Sequence, residues 1–296
     1  MRIGKSSVAN IENRIRNLSK LSTLPHIAAK VVELVENPKT SASTLGKIIS
    51  MDQVLAARIL KLANSAYYGF PREISTINLA IVVLGFNTLR DLVVSLSVID
   101  QFSRQSSQFI DPRYFWKHAL DVGMGARAFA QSVHYPIPGE VFVGGLLHDI
   151  GLLVLFQEFP DLLQEIMQRT TEREVPFEEA MEEVAGFSRA EVSAWLVEGW
   201  NLPPKLVQAI RYHLHPEKEP ETSQLTWLIH LTDLISLSIN NYEENLFASQ
   251  PDPAELEEKL NRFFKQHLPL DYYQSTFLES TGKVNDFLQM MTLQPV

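Results

Sequence analysis

The sequence predicts an all-α chain, and three observations carry that prediction. Apolar residues recur at helical spacing through most of the 296 residues. Proline, glycine and cap-type residues divide the periodic runs into lengths typical of helices. No stretch alternates apolar and polar residues between turn signals, as a half-buried strand would.

Taken in order, Val8, Ile11, Ile15 and Leu18 form one face of an amphipathic helix, and Ile27, Val31, Leu34 and Val35 repeat the pattern after Pro25, a good first-turn residue. Asn37-Pro38 interrupts, and Ser41 or Ser43 can cap a helix toward Ile49. Val54 to Leu62 is a further helix closed by Asn64-Ser65. After the Gly69-Phe70-Pro71 loop, Ser75 is the expected cap for Ile77 to Leu84. Gly85 separates that helix from an apolar one ending near Phe102.

Asp111-Pro112 opens a long helix to about His134, and Pro136, Pro138 and Gly139 make the next loop. A helix from Glu140 to Phe156 then carries His148 and Asp149. Pro160, Pro176, Gly186 and Asn201 to Pro204 mark further breaks, and Ser223 to Asn241 reads as a long helix. Gln250 to Pro253 is the best linker; a charged helix around Glu255 to Lys265 and a last one near Met290 follow.

Composition narrows the function classes. With 45% hydrophobic and 21% charged residues the chain is ordinary globular material. The absence of cysteine removes thiolate nucleophiles and cysteine zinc sites, so any metal must be held by imidazole and carboxylate. That absence also fits a cytoplasmic location. The net charge of −9 argues against a nucleic-acid partner, whose phosphates demand cations. Only the start is basic, with Arg2, Lys5, Arg14, Arg16, Lys20 and Lys30 against Glu12. No apolar run approaches the ~18 residues of a membrane span, so no membrane insertion is expected.

Four side chains stand out as candidate ligands: His118, the adjacent His148-Asp149, and Asp233. Two imidazoles and two carboxylates suit a divalent ion such as iron, manganese, zinc or nickel. Adjacent residues on a helix project about 100° apart, so His148 and Asp149 can grip one ion over a groove. A histidine in an apolar helix is more often a hydrogen-bonded core residue. The flanking Gly144, Gly145 and Gly151 favour the site: each costs a helix about 0.5–1 kcal/mol relative to alanine. They admit a close neighbour.

His230 lies three residues before Asp233, and Asp121 three after His118, so each reads as a partner of its ligand. Lys117, Arg189 and Arg211 are candidate phosphate contacts. Tyr67, Tyr68 and Phe70 form an aromatic cluster at a loop.

Leu24-Pro25, Asp52, Leu60, Ala63-Asn64-Ser65, Tyr68, Ala80-Ile81 and Leu84-Gly85 resemble the HDOD family, the HD-related output domain. So do Gly145 to Gly151, Trp200 to Pro203 and Ala209 to His213. The resemblance runs from about Leu18 to His215. It implies an HD-domain-like helical bundle with an N-terminal helical subdomain: 1–110 as the first half, 111–250 as the HD-like half, and 251–296 as an extension. It also implies a bacterial signal-transduction protein, regulatory rather than enzymatic, working with signalling proteins or a nucleotide-like ligand.

His118, His148, Asp149 and Asp233 match the minimal ligand set of HD phosphohydrolases. Arg189 and Leu214 stand where the binuclear enzymes place further histidines, and neither side chain is a metal ligand. One metal at most is therefore expected, with His213 or His215 approaching it. The alternative is a mononuclear phosphohydrolase acting on a nucleotide or cyclic dinucleotide.

Overall fold

The structure, a computed structural model, describes residues 10–17, 26–65, 68–102, 112–240, 250–282, 284, 285 and 288. The expected cap at Asp111, the Leu24-Pro25 pair, Val8, Leu18, Tyr67 and the helix near Met290 lie outside them. Among the described residues there are helices and connections but no strand. The chain forms two compact units. The smaller takes in the described residues of Ser22–Arg104 and Gly282–Val296; the larger takes in those of Met1–Leu21 and Gln105–Thr281.

The smaller unit holds α1 (His26–Glu36), α2 (Ala42–Ser50), α3 (Gln53–Ala63), α4 (Ile77–Leu84) and α5 (Phe86–Phe102). Side-chain caps start three of them. Ser41 accepts from Thr44 N at the head of α2, and Asp52 accepts from Leu55 N at the head of α3. The cap of α4 is Thr76, which accepts from Leu79 N, rather than the expected Ser75. A cap must sit directly before the first turn to reach the amide three residues on, and Ser75 is one residue too early. Gly85 has a φ of +84° and lets α4 turn into α5 at 119°. Tyr68 and Phe70 stack with centroids 6.3 Å apart.

The larger unit begins with a helical stretch at residues 10–17, whose Ile15 is buried and whose Arg14 guanidinium lies over the Phe159 ring at 4.6 Å. Its body comprises α6 (Pro112–Ser132), α7 (Pro138–Leu147), α8 (Ile150–Glu158), α9 (Pro160–Arg173), α10 (Phe177–Val184), α11 (Arg189–Gly199), α12 (Pro204–Tyr212), α13 (Gln224–Ile239), α14 (Pro253–Phe264) and α15 (Leu270–Thr281). Helices α7, α13 and α15 pack on α6. The apolar stretch Pro138–Glu158 is long enough to cross a membrane by length and composition, but it is mostly buried in the protein.

One expectation about this stretch is corrected. The helix predicted from Glu140 to Phe156 is broken at its centre: α7 ends at Leu147 and α8 begins at Ile150. His148 and Asp149 form the turn between them, with Asp149 at φ −109°, ψ 12° in the N-cap position of α8. Its side chain makes no cap bond to that helix. Both faces of the break are buried and apolar, so the sequence pattern does not register it.

Candidate metal centre

Four helix ends and two helix middles bring the site together within the larger unit. His118 comes from the middle of α6 and Asp233 from the middle of α13. His148 and Asp149 come from the α7–α8 turn, and His213 directly follows α12. Arg189 is the first residue of α11. The helices approach closely because small residues line the contacts. A Cβ on Gly145 would lie 2.8 Å from the Gly123 Cα of α6, and one on Gly151 would lie 2.5 Å from Ser193 N of α11. Gly151 N also donates to Ser193 Oγ at 2.9 Å.

Each imidazole is oriented through one edge. His148 donates from Nδ1 to the Gly145 carbonyl at 2.6 Å, and His213 donates from Nδ1 to the Ile210 carbonyl at 2.7 Å. A carbonyl only accepts, so Nδ1 carries the proton and each Nε2 keeps its lone pair. His118 Nδ1 lies 3.2 Å from Ser236 Oγ. The three rings meet edge to face, His148 standing 5.2 Å from His118 and 5.0 Å from His213 between centroids.

The inner nitrogens and the carboxylates then converge. His118 Nε2 is 3.1 Å from Asp233 Oδ1. His148 Nε2 is 3.4 Å from Asp149 Oδ2 and 3.8 Å from Asp233 Oδ1. His213 Nε2 is 3.6 Å from Asp149 Oδ1. Two overlapping trios, His118-His148-Asp149 and His148-His213-Asp233, each place a ligand atom from every member within 4.8 Å of the others. Three buried atoms facing this point have no hydrogen-bond partner among the described residues: His148 Nε2, His213 Nε2 and Asp233 Oδ1. Orphaned buried polar atoms cost about 1–3 kcal/mol each. A cation ligated by all three removes that cost, and the donor set fits a borderline divalent ion.

The electrostatics keep the ligands in the right form. Burial pushes the His148 imidazole down to about 4, against the opposing pull of Asp149 and Asp233. It is neutral at physiological pH, as a ligand must be. Burial alone would raise both carboxylates. Arg189 and the histidines outweigh it at Asp149, and His118 and His148 do so at Asp233, so both stay ionised well below the usual range.

The remaining sequence candidates fall at distinct places. Arg189 is buried and donates from Nε to Asp149 Oδ1 at 2.7 Å and from Nη1 to Glu178 Oε1 at 2.6 Å. His230 donates from Nδ1 to the His213 carbonyl at 2.7 Å, supporting that residue's backbone. Asp121 holds Lys117 at 2.6 Å. Arg211 pairs with Glu198, which also takes Arg16. His215 is exposed and faces Glu217. Sequence reasoning missed Glu178 and Ser236. Glu178 lies in an acidic run that reads as a solvated face, and Ser236 lies three residues after Asp233, a spacing that would have revealed it.

The match to the HDOD domain model covers residues 21–216. The chain belongs to the HDOD family. A curated relative in Treponema pallidum (strain Nichols), an uncharacterised protein, is 27% identical over 207 residues, covering 68% of this chain and 40% of its own length. The chain therefore spans well under half of that relative. Solved structures share the fold. An HDOD domain protein of unknown function from Geobacter sulfurreducens superposes with a TM-score of 0.76 at 21% identity, over 97% of this chain and 100% of its own. The "Putative phosphohydrolase" of Shewanella amazonensis SB2B gives 0.74 at 24% identity, over 94% and 98%. The "Putative signal transduction protein" of Marinobacter aquaeolei VT8 gives 0.71 at 23% identity, over 93% and 61%.

Proposed function

We propose that this HDOD chain is a regulatory signalling protein whose His/Asp centre binds one divalent cation, and that it acts through protein partners or a nucleotide-like ligand. The convergence of the three orphaned atoms of His148, His213 and Asp233 carries this reading. His118 and Asp149 complete the shell from either side, and iron, manganese, zinc or nickel suits the donors. The closed setting favours holding an ion over turning over a substrate: His148 and His213 are 0% exposed. The solved relative named for signal transduction is consistent with it.

A second reading, a mononuclear phosphohydrolase acting on a nucleotide or cyclic dinucleotide, draws on the two ionised carboxylates beside the imidazoles. A bound ion there would polarise a phosphoryl oxygen and acidify a coordinated water. In that case His118, His148, Asp149 and Asp233 would hold the ion.

Metal analysis of the purified protein, joined to a phosphoester screen with added manganese or iron, decides between them. The regulatory reading expects about one bound ion per chain and no turnover. Turnover that disappears in Asp149→Ala would establish the hydrolase. A protein that takes up none of these ions would overturn both.

A further inference from the structure

Arg189 occupies a position that needs explaining. It is the first residue of α11, where the helix dipole disfavours a cation. It is also only 3% exposed, and burying a guanidinium is costly unless it is paired. Neither local propensity nor packing accounts for it, so its partners must. They include Asp149, which faces two of the three imidazoles, and Glu178, whose side chain is 28% exposed.

We infer that Arg189 is a built-in counter-cation that competes with an incoming metal ion for Asp149, making the centre a reversible one-ion site. The inference rests on the metal-binding reading above and adds its regulation. Without an ion, the carboxylates of Asp149 and Asp233 need positive charge, and Arg189 supplies it to Asp149 through the 2.7 Å bond to Oδ1. When an ion arrives, it meets this fixed positive charge beside one of its own ligands.

Glu178 makes the exchange feasible. It holds the other end of the guanidinium at 2.6 Å from the half-exposed side, so Arg189 keeps a partner when Asp149 turns to the ion. Helix α11 also stays docked by contacts that do not involve the guanidinium. Gly151 N donates to Ser193 Oγ, and Ser193 Oγ donates to the Arg189 carbonyl at 3.1 Å. Ion binding is therefore transmitted to the Arg189–Glu178 link and through it to α10, without dismantling the bundle.

The test measures manganese and zinc binding by calorimetry and chelator competition in the full chain, comparing wild type, Arg189→Met and Arg189→Lys. Removing the charge in Arg189→Met is expected to tighten ion binding by about tenfold or more. Arg189→Lys keeps the charge and is expected to stay within about threefold of wild type. The metal-free melting temperature should fall further in Arg189→Met than in Arg189→Lys, and saturating ion should restore it.

An Arg189→Met protein with a native circular-dichroism spectrum and unchanged or weaker ion binding overturns the inference while leaving the metal reading intact. An ion bound by Arg189→Met but not by wild type overturns the metal reading of the native protein, and the inference with it. No ion bound by any variant overturns both readings. Should Arg189→Met not fold, Glu178→Gln replaces it. Losing the Glu178 charge removes its pull on the guanidinium and favours the bond to Asp149, so ion binding should weaken by about threefold or more, and unchanged binding overturns the inference.

Discussion

Each unit buries a carboxylate beside an arginine, and the two pairs are built differently. In the smaller unit Asp91 and Arg90 are neighbours on α5, with Nη2 to Oδ1 at 3.0 Å. In the larger unit Asp149 and Arg189 lie 40 residues apart, and both are buried. Asp149 also faces His148 and His213, whose inner nitrogens have no hydrogen-bond partner among the described residues. A buried charge neutralised by its own neighbour serves the helix that carries it. One assembled from the α7–α8 turn and α11, among imidazoles held on their outer edges, is arranged around something further. The surroundings of the carboxylate, rather than its burial, distinguish a site from a structural ion pair.

Removing the larger unit's carboxylate should break the comparison most severely. Asp149→Ala removes the buried carboxylate that Arg189 Nε donates to, and breaking a buried pair from one side costs about 3–5 kcal/mol. Metal uptake should vanish with it. Chemical denaturation of metal-free protein together with a metal titration checks both. A variant that loses the ion but no stability would show that the remaining partners of Arg189, Glu178 among them, are sufficient to hold it.

The sequence made much of this legible. Helical periodicity and the cap expected at Ser41 or Ser43 are local signals, and the structure has Ser41 in use. The candidate ligands were legible because polar side chains in apolar helices stand out, and four of them meet with His213. The break at His148-Asp149 was not legible, because every residue around it is buried and a period cannot show a turn whose faces are equally apolar. The glycines there were read correctly as places of close approach, yet nothing in the sequence says that Gly151 faces Ser193. The same holds for the role of Arg189. Its partner Glu178 lies eleven residues away on another helix, and its partner Asp149 forty, so the triad exists only once α8, α10 and α11 are packed. Helix α15, Leu270–Thr281, also escaped, since its apolar residues are sparse.

Acid should sharpen the contrast by a smaller amount for each group that titrates. Burial holds His148 and His230 down to about 4, well below the ordinary 6.5 of an exposed histidine. Between those values the unfolded chain binds protons that the folded chain refuses. The stability of the metal-free protein is therefore fully present above about pH 6.5 and is lost as pH falls toward 4, at most about 3 kcal/mol for each histidine. Asp149 and Asp233, held low, extend the loss below the usual carboxylate range. Urea midpoints measured from pH 7 to pH 4.5 should fall steadily. A flat profile would mean that water reaches these imidazoles and that the orphaned nitrogens are satisfied without an ion.

The smallest effect is expected from the smaller unit's pair. In Asp91→Asn the amide keeps the shape of the carboxylate and removes its charge. The Ser95 hydroxyl still donates to the Asp91 carbonyl on the backbone, because that bond does not involve the substituted group. Arg90 has a side chain 12% exposed and can turn its guanidinium to water, which the buried Arg189 cannot do. The loss should therefore be about 1–2 kcal/mol, near the value of a charged hydrogen bond, and ion binding by the larger unit should stay at its wild-type level. If Asp91→Asn instead abolished ion uptake, the two pairs would be coupled, and surroundings alone would no longer separate the site from the structural pair. If it cost as much as Asp149→Ala while leaving uptake intact, the penalty at Asp149 would report buried charge in general, and only the metal titration would mark that residue as part of a site.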